Sequence, residues 1–313
     1  MLNRRYLRIK VLQTLYSWFQ SESNDLNVAE KEMFKSINKV YDLYVYMLLL
    51  AVEVVESARS LAETKKGKHF VSEEEKNPNL HFTQNKAILL LENDKRFNQI
   101  VSAKKMNWSL SSDNVRRLFR TISESKEYEK YMLKTEGSFK EDRMFMAEIY
   151  EKYIATSEVF EQIIEDEDMY WAQDVELVHI HVSRTFQKMK EGSPNVLVEL
   201  YKDMEDDTKF VKSLLRNTLA QNEEYGDLIA SLTKNWESDR LAKIDIILMK
   251  MAVCEIDHFS TIPVKVTLNE YIDLSKFFST PKSKGFINGV LDKIVAQWKS
   301  EGRIKKQGRG LIE

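Results

Sequence analysis

The sequence predicts an all-α fold, and three observations carry that prediction. Its 313 residues include only nine Gly and four Pro, too few for an all-β chain that turns about every ten residues. They are also too few for the Gly-rich strand-to-helix turns of a doubly wound α/β protein. Apolar residues recur at three- and four-residue steps over long stretches, as on the buried stripe of an amphipathic helix. Hydrophobic residues make up 43% of the chain and charged residues 31%, the balance of a globular core under a solvated surface. At about 150 residues per domain, the length predicts two domains or one domain with a large insertion.

The first helix is read over 3–20, with Leu7, Val11 and Trp18 on one side and Leu12, Leu15 and Phe19 widening the stripe. A polar connector over 21–27 offers Asn24, Asp25 and Asn27 as N-caps. A long helix then reaches to about residue 63, its stripe formed by Phe34, Ile37, Tyr41, Tyr44, Leu48, Val52 and Val55. Residues 65–85 hold a Gly, a Pro and dense charge and read as a surface loop. Amphipathic segments follow over 86–102, 112–133, 139–164, 168–190, 194–221 and 223–236, with Gly137, Gly192, Pro194 and Gly226 at or near their joins. A strong helix over 238–259 comes next. Thr267 and Glu270 have the spacing of a capping box for the helix after it. The last helix runs over 286–300, and 302–313 reads as a frayed basic tail.

Composition also excludes function classes. One cysteine, Cys254, rules out an intramolecular disulfide framework and a Cys-cluster zinc site. The N-terminal residues lack the apolar run and cleavage site of a secretory signal. The most apolar run, 43–52, is about half a membrane span. The expected class is a soluble cytoplasmic protein that does not engage a membrane. The five His are His69, His81, His179, His181 and His258; His179 and His181, two apart on a helix, point to different sides. Walker A, GxGxxG, HExxH and GxSxG sequences are absent. The acidic run 165–168 lacks EF-hand spacing. No enzyme activity, cofactor or metal is expected.

Net charge, −2 from 47 Lys+Arg and 49 Asp+Glu, hides an uneven distribution. Residues 1–21 carry Arg4, Arg5, Arg8 and Lys10 and no acid, whereas 153–183 carry eight acids and no Lys or Arg. Residues 282–309 carry eight bases against Asp292 and Glu301. Local patches of this kind set the field a polyanion meets. Arg4, Arg5, Arg8 and Tyr16 fall within about a third of a helical wheel. Lys282 and Lys284 again stand beside an aromatic, Phe286. Guanidinium groups pair bidentately with phosphate and aromatic rings stack on unpaired bases, so both clusters suit single-stranded nucleic acid. Core packing is the competing reading of Tyr16 and Phe286.

The two ends together resemble the NusB family of transcription antitermination factors. The N-terminal resemblance is Arg4-Arg5-Tyr-Leu-Arg8 running into Gln13-Thr-Leu15-Tyr16. The longer C-terminal one runs from Asp245 through Ala252 and Glu255, then Ile262-Pro263-Val-Lys265 to Asn269-Glu270, and Gly285-Phe286-Ile-Asn288-Gly289-Val-Leu-Asp292-Lys293. It covers 1–20 and about 203–300. The resemblance implies a NusB-like antiparallel helical bundle with an inserted helical subdomain: residues 1–24 as its first helix, 25–202 as the insertion, 203–301 as the remainder and 302–313 as the tail. It implies binding of boxA-type single-stranded RNA of ribosomal RNA leaders with the small-subunit ribosomal protein NusE, inside the RNA polymerase antitermination complex. It places RNA on Arg4, Arg5, Arg8, Tyr16, Lys282, Lys284 and Phe286, and the protein partner on Asp245 and Met249.

Two rival readings stand beside it. NusB-like domains also open some ribosomal RNA cytosine methyltransferases, but here the resemblance ends near the last residue and leaves no catalytic domain after it. A non-catalytic interaction scaffold with a vestigial RNA site is the other. The acidic stretch 158–176 is a candidate for masking the basic face.

Overall fold

The structure is a computed structural model that describes residues 1–21, 25–66, 79–233 and 242–311. These residues form fourteen α-helices and no strand. The chain divides into two compact units, one made of 38–200 with Met1 and the other of 2–37 and 201–313.

The first unit is built on a helix apolar on every side, the pattern of a buried centre. Helices α1 (Arg4–Gln20) and α2 (Leu26–Lys66) open the chain. Within α2, Leu43 to Ala51 are buried without exception. Trp108 stacks on Tyr46 at 4.2 Å and its indole donates to the Tyr46 carbonyl. Trp171 donates to the Lys39 carbonyl at 3.0 Å, and Tyr44 shares a 2.7 Å hydrogen bond with Thr185.

Several segments read as single helices are broken in two. Residues 86–102 split into α3 (Lys86–Glu92) and α4 (Lys95–Lys104), because Asp94 accepts from the Phe97 amide as an N-cap. Residues 112–133 split into α5 (Ser112–Ser123) and α6 (Lys126–Met132), where Ser125 caps the Tyr128 amide. Helix α7 (Phe139–Ile149) passes into a π-helical turn, Tyr150–Ile154, before α8 (Glu158–Glu167). Helix α9 (Val175–Lys188) ends the unit's regular structure. The apolar stripe continues across each break, so periodicity alone does not reveal it. Of the loop expected over 65–85, residues 67–78 lie outside the described residues, as do His69 and residues 22–24 of the first connector.

In the second unit, α10 (Met204–Ala220), α11 (Asn222–Leu232), α12 (Lys243–His258), α13 (Val264–Phe278) and α14 (Ser283–Ser300) join α1. Residues 234–241, where the segment 223–236 is expected to end and the helix over 238–259 to open, lie outside the described residues. The sequence places the first boundary at 24/25, yet the unit extends to Ile37. The reason is local to α2: Met33 and Ile37 are buried, and Glu30 pairs with Lys212 at 3.0 Å and with Arg216 at 2.6 Å.

Helix α12 is the hub, packing on α1, α10, α11, α13 and α14. Its one fully buried carboxylate, Glu255, is met by Arg8 through paired hydrogen bonds of 2.8 and 2.7 Å. Thr267 and Tyr271 also donate to it, at 2.8 and 3.1 Å. Burial works against the Arg8 charge, but the Glu255 hydrogen bonds and charge outweigh it and its pKa is raised. Thr267 is therefore not a cap. Helix α13 begins earlier, at Val264 behind Pro263, and Thr267 turns inward to Glu255. Nor is the tail frayed over 302–311. Lys306 donates to the Ile256 and Phe259 carbonyls at the end of α12, and Arg303 lies over Trp298 and pairs with Asp257. Gly310 is required there, since a Cβ would collide with the Ser260 carbonyl.

Two outcomes follow for stability. Arg8→Ala should lower it by about 3–5 kcal/mol in urea unfolding, because it strands a buried charge. The pair Arg8→Met with Glu255→Met should cost less than the two single changes summed, which a double-mutant cycle measures. In the first unit, burial pushes His179 down to about 4 from 6.5, with Tyr150 hydrogen-bonded to its Nδ1 at 2.8 Å. The unfolded chain then binds the proton first, so the stability linked to His179 is complete above about pH 6.5 and is lost as pH falls toward 4. His179→Asn should flatten that part of the stability profile between neutral and mildly acidic buffer.

Candidate nucleic-acid interface

Four contacts orient the helices around the proposed interface. Arg8 meets Glu255 at one end of α12, and Lys243 reaches Gln20 at 3.5 Å at the other, so α1 runs antiparallel to α12. Helix α13 starts beside Glu255 and leads to Ser283, which donates to Asp245 at 2.7 Å at the start of α12. Helices α1 and α13 are therefore parallel, and their C-terminal ends share one end of the unit with the turn that opens α14.

The arginines occupy the opposite end and are already engaged. Arg4 pairs with Asp206 and Asp207 of α10 and lies over the Phe210 ring at 4.2 Å. Arg5 forks onto Glu270 at 3.0 and 2.9 Å and reaches Asp273 at 2.9 Å; the Glu270 hydrogen bond leads in raising its pKa. Both remain partly exposed. Arg8 does not: only 2% exposed, it belongs to the core. Acidic groups at the α10 N-terminus suit the helix dipole, and the same carboxylates neutralise the first turns of α1.

Tyr16 lies eleven residues beyond Arg5, on the same side of the helix and about 16 Å along it. It is 41% exposed. Lys282 and Lys284 are exposed on either side of buried Ser283, which Ser279 and Thr280 also hold at 2.9 Å. Phe286 is buried, so of the two aromatics open to a core reading, it alone takes that role. Asp245 and Met249 are likewise buried, because α12 is enclosed on all sides. Neither is presented to a partner; Asp245 instead secures the turn carrying the two lysines.

One exposed aromatic, Phe277, belongs to the resembling run Leu274-Ser-Lys276-Phe277 but has no role in the sequence reading. Phe277 follows Glu270 and Asp273 at helical spacing, on the side of α13 that faces Arg5. Its neighbour Phe278 continues the apolar stripe, which makes the pair look like core. The usable signal is a large apolar residue placed in a polar stripe. Elsewhere, the acidic stretch 158–176 belongs to the first unit, where Asp168 pairs with Lys39 at 2.6 Å and Asp174 is buried. No helix among the described residues is long and apolar enough to cross a membrane.

Residues 178–296 match the NusB family. The Transcription antitermination protein NusB of Salinibacter ruber is 40% identical over 123 residues, 39% of this chain and 77% of that protein. The protein of the same name from Chloroherpeton thalassium is 36% identical over 104 residues, 33% of this chain and 49% of its own length. That of Natranaerobius thermophilus is 31% identical over 107 residues, 34% of this chain and 77% of its own. No solved structure matches. Residues 1–20, the shorter part of the resemblance, lie ahead of the family match, which reaches back into α9. The chain belongs to the NusB family of non-catalytic transcription antitermination proteins and carries an extra region ahead of the matched residues.

Proposed function

We propose that the chain binds boxA-type single-stranded RNA of ribosomal RNA leaders, together with a small-subunit ribosomal protein of the NusE type, within an RNA polymerase antitermination complex. The observation that carries this reading is that exposed Tyr16 stands at the same end of the second unit as exposed Lys282 and Lys284. One ring and two ammonium groups on a firm turn supply stacking and phosphate attraction together. Arg4 and Arg5 extend the site at its margin. Their ion pairs are partly exposed and so worth little individually, and a phosphate can take the place of a carboxylate. Arg8, Phe286, Asp245 and Met249 support the site from within. Holding RNA and a ribosomal protein on one scaffold raises the effective concentration of each for the other.

A specific observation favours a second reading. The charges of Arg4, Arg5 and Arg8 are all met by carboxylates, as expected of a protein-interaction scaffold whose RNA site is vestigial. Titration with boxA-like and scrambled RNA, each with and without the ribosomal protein, separates the two. RNA binding should weaken with salt at a log–log slope of about −2 to −3. Lys282→Ala with Lys284→Ala should reduce that slope by about 1.4, near 0.7 for each lost phosphate contact. A slope near zero, or binding of the ribosomal protein alone, overturns the RNA reading in favour of the scaffold.

A further inference from the structure

We infer that Phe277 is a base-stacking residue, forming with Tyr16 a two-ring track for consecutive segments of one RNA strand; this rests on the RNA reading above. Phe277 is 76% exposed, a costly position for a large apolar ring in water. It lies one turn beyond Asp273 on the α13 stripe that meets Arg5. Because α1 and α13 are parallel, Phe277 stands about 6 Å past Asp273, and Tyr16 about 16 Å past Arg5. Arg5, Phe277 and Tyr16 thus follow one another along the side that α1 and α13 share, bridged at Arg5 by Glu270 and Asp273. Basic groups border it: Lys276 pairs with Asp273 at 2.6 Å, and exposed Lys282 and Lys284 follow just beyond the end of α13.

That surrounding selects the occupant. A protein ligand for an exposed Phe needs an apolar pocket of its own and gains nothing from three neighbouring ammonium groups unless it is acidic. A single-stranded RNA satisfies both features, with the base face on the ring and the phosphates on the lysines. Since every base has a flat face, Phe277 adds affinity with little sequence preference, and base selection falls to other contacts.

The test compares the full-length protein with Phe277→Ala and Phe277→Trp on boxA-like RNA, and repeats the titrations with that RNA made abasic at one position at a time. Phe277→Ala should bind about tenfold or more weakly with an unchanged salt slope, and Phe277→Trp should bind at least as well as the original. At one abasic position the Ala substitution should cost nothing further. Thermal melts matching the unaltered protein establish that the variants fold. Unchanged RNA affinity in Phe277→Ala overturns the inference alone, as does loss of ribosomal-protein binding with RNA binding intact. Failure of the unaltered protein to bind RNA overturns the parent reading instead.

Discussion

Glu255 sets the arrangement of the second unit. A carboxylate buried near the end of an enclosed helix must be paired and fully hydrogen-bonded to remain charged, and this one recruits Arg8 from α1 and Thr267 and Tyr271 from α13. Burial drives the Tyr271 phenol far above its ordinary range, so the hydroxyl keeps its proton and donates. Once Arg8 points inward, the rotation of α1 is settled. Arg5 and Tyr16 then fall toward α13 and solvent, and Leu7, Val11 and Leu15 fall into the core. An interior charge pair of this kind adds little net stability compared with an apolar replacement. What it supplies is a single acceptable angle for the helix.

Much of this was legible in the residues, and the exceptions share a cause. Helix content, the long second helix and the run from Asp245 to Lys293 could be read from spacing and resemblance. Breaks at Asp94, Ser125 and the π-turn could not, because buried apolar residues stand close on either side of each. Arg8 shows the same limit for function. On a wheel it sits with Arg4 and Arg5 as one basic face, and only the partner carboxylate, almost 250 positions away in the chain, turns it inward. Lys282 and Lys284 keep their expected exposure because a short turn leaves no room to bury an ammonium group. Phe277 was hidden by adjacency, since Phe278 beside it continues the core pattern.

Charge tells a related story at larger scale. The opening residues are purely basic in sequence, yet Asp206, Asp207, Glu270 and Asp273 converge on them from α10 and α13. The free positive field is displaced from the start of α1 to the turn before α14. Counting charges along a segment therefore does not show which basic groups the fold pairs with carboxylates. The first unit has an apolar helix at its centre, aromatic clusters around Phe82 and Tyr46, and ion pairs such as that of Lys152 with Glu127.

The second helix contributes residues to both units, and this bears on how the first unit could be removed. Excision of 38–200 would not remove a self-contained cassette; it would leave a stub over 26–37, too short to hold helical structure unaided. Yet Glu30, Met33 and Ile37 on that stub are part of the second unit's interior and ion pairs. A viable splice must therefore join the stub to a replacement that continues its helical phase.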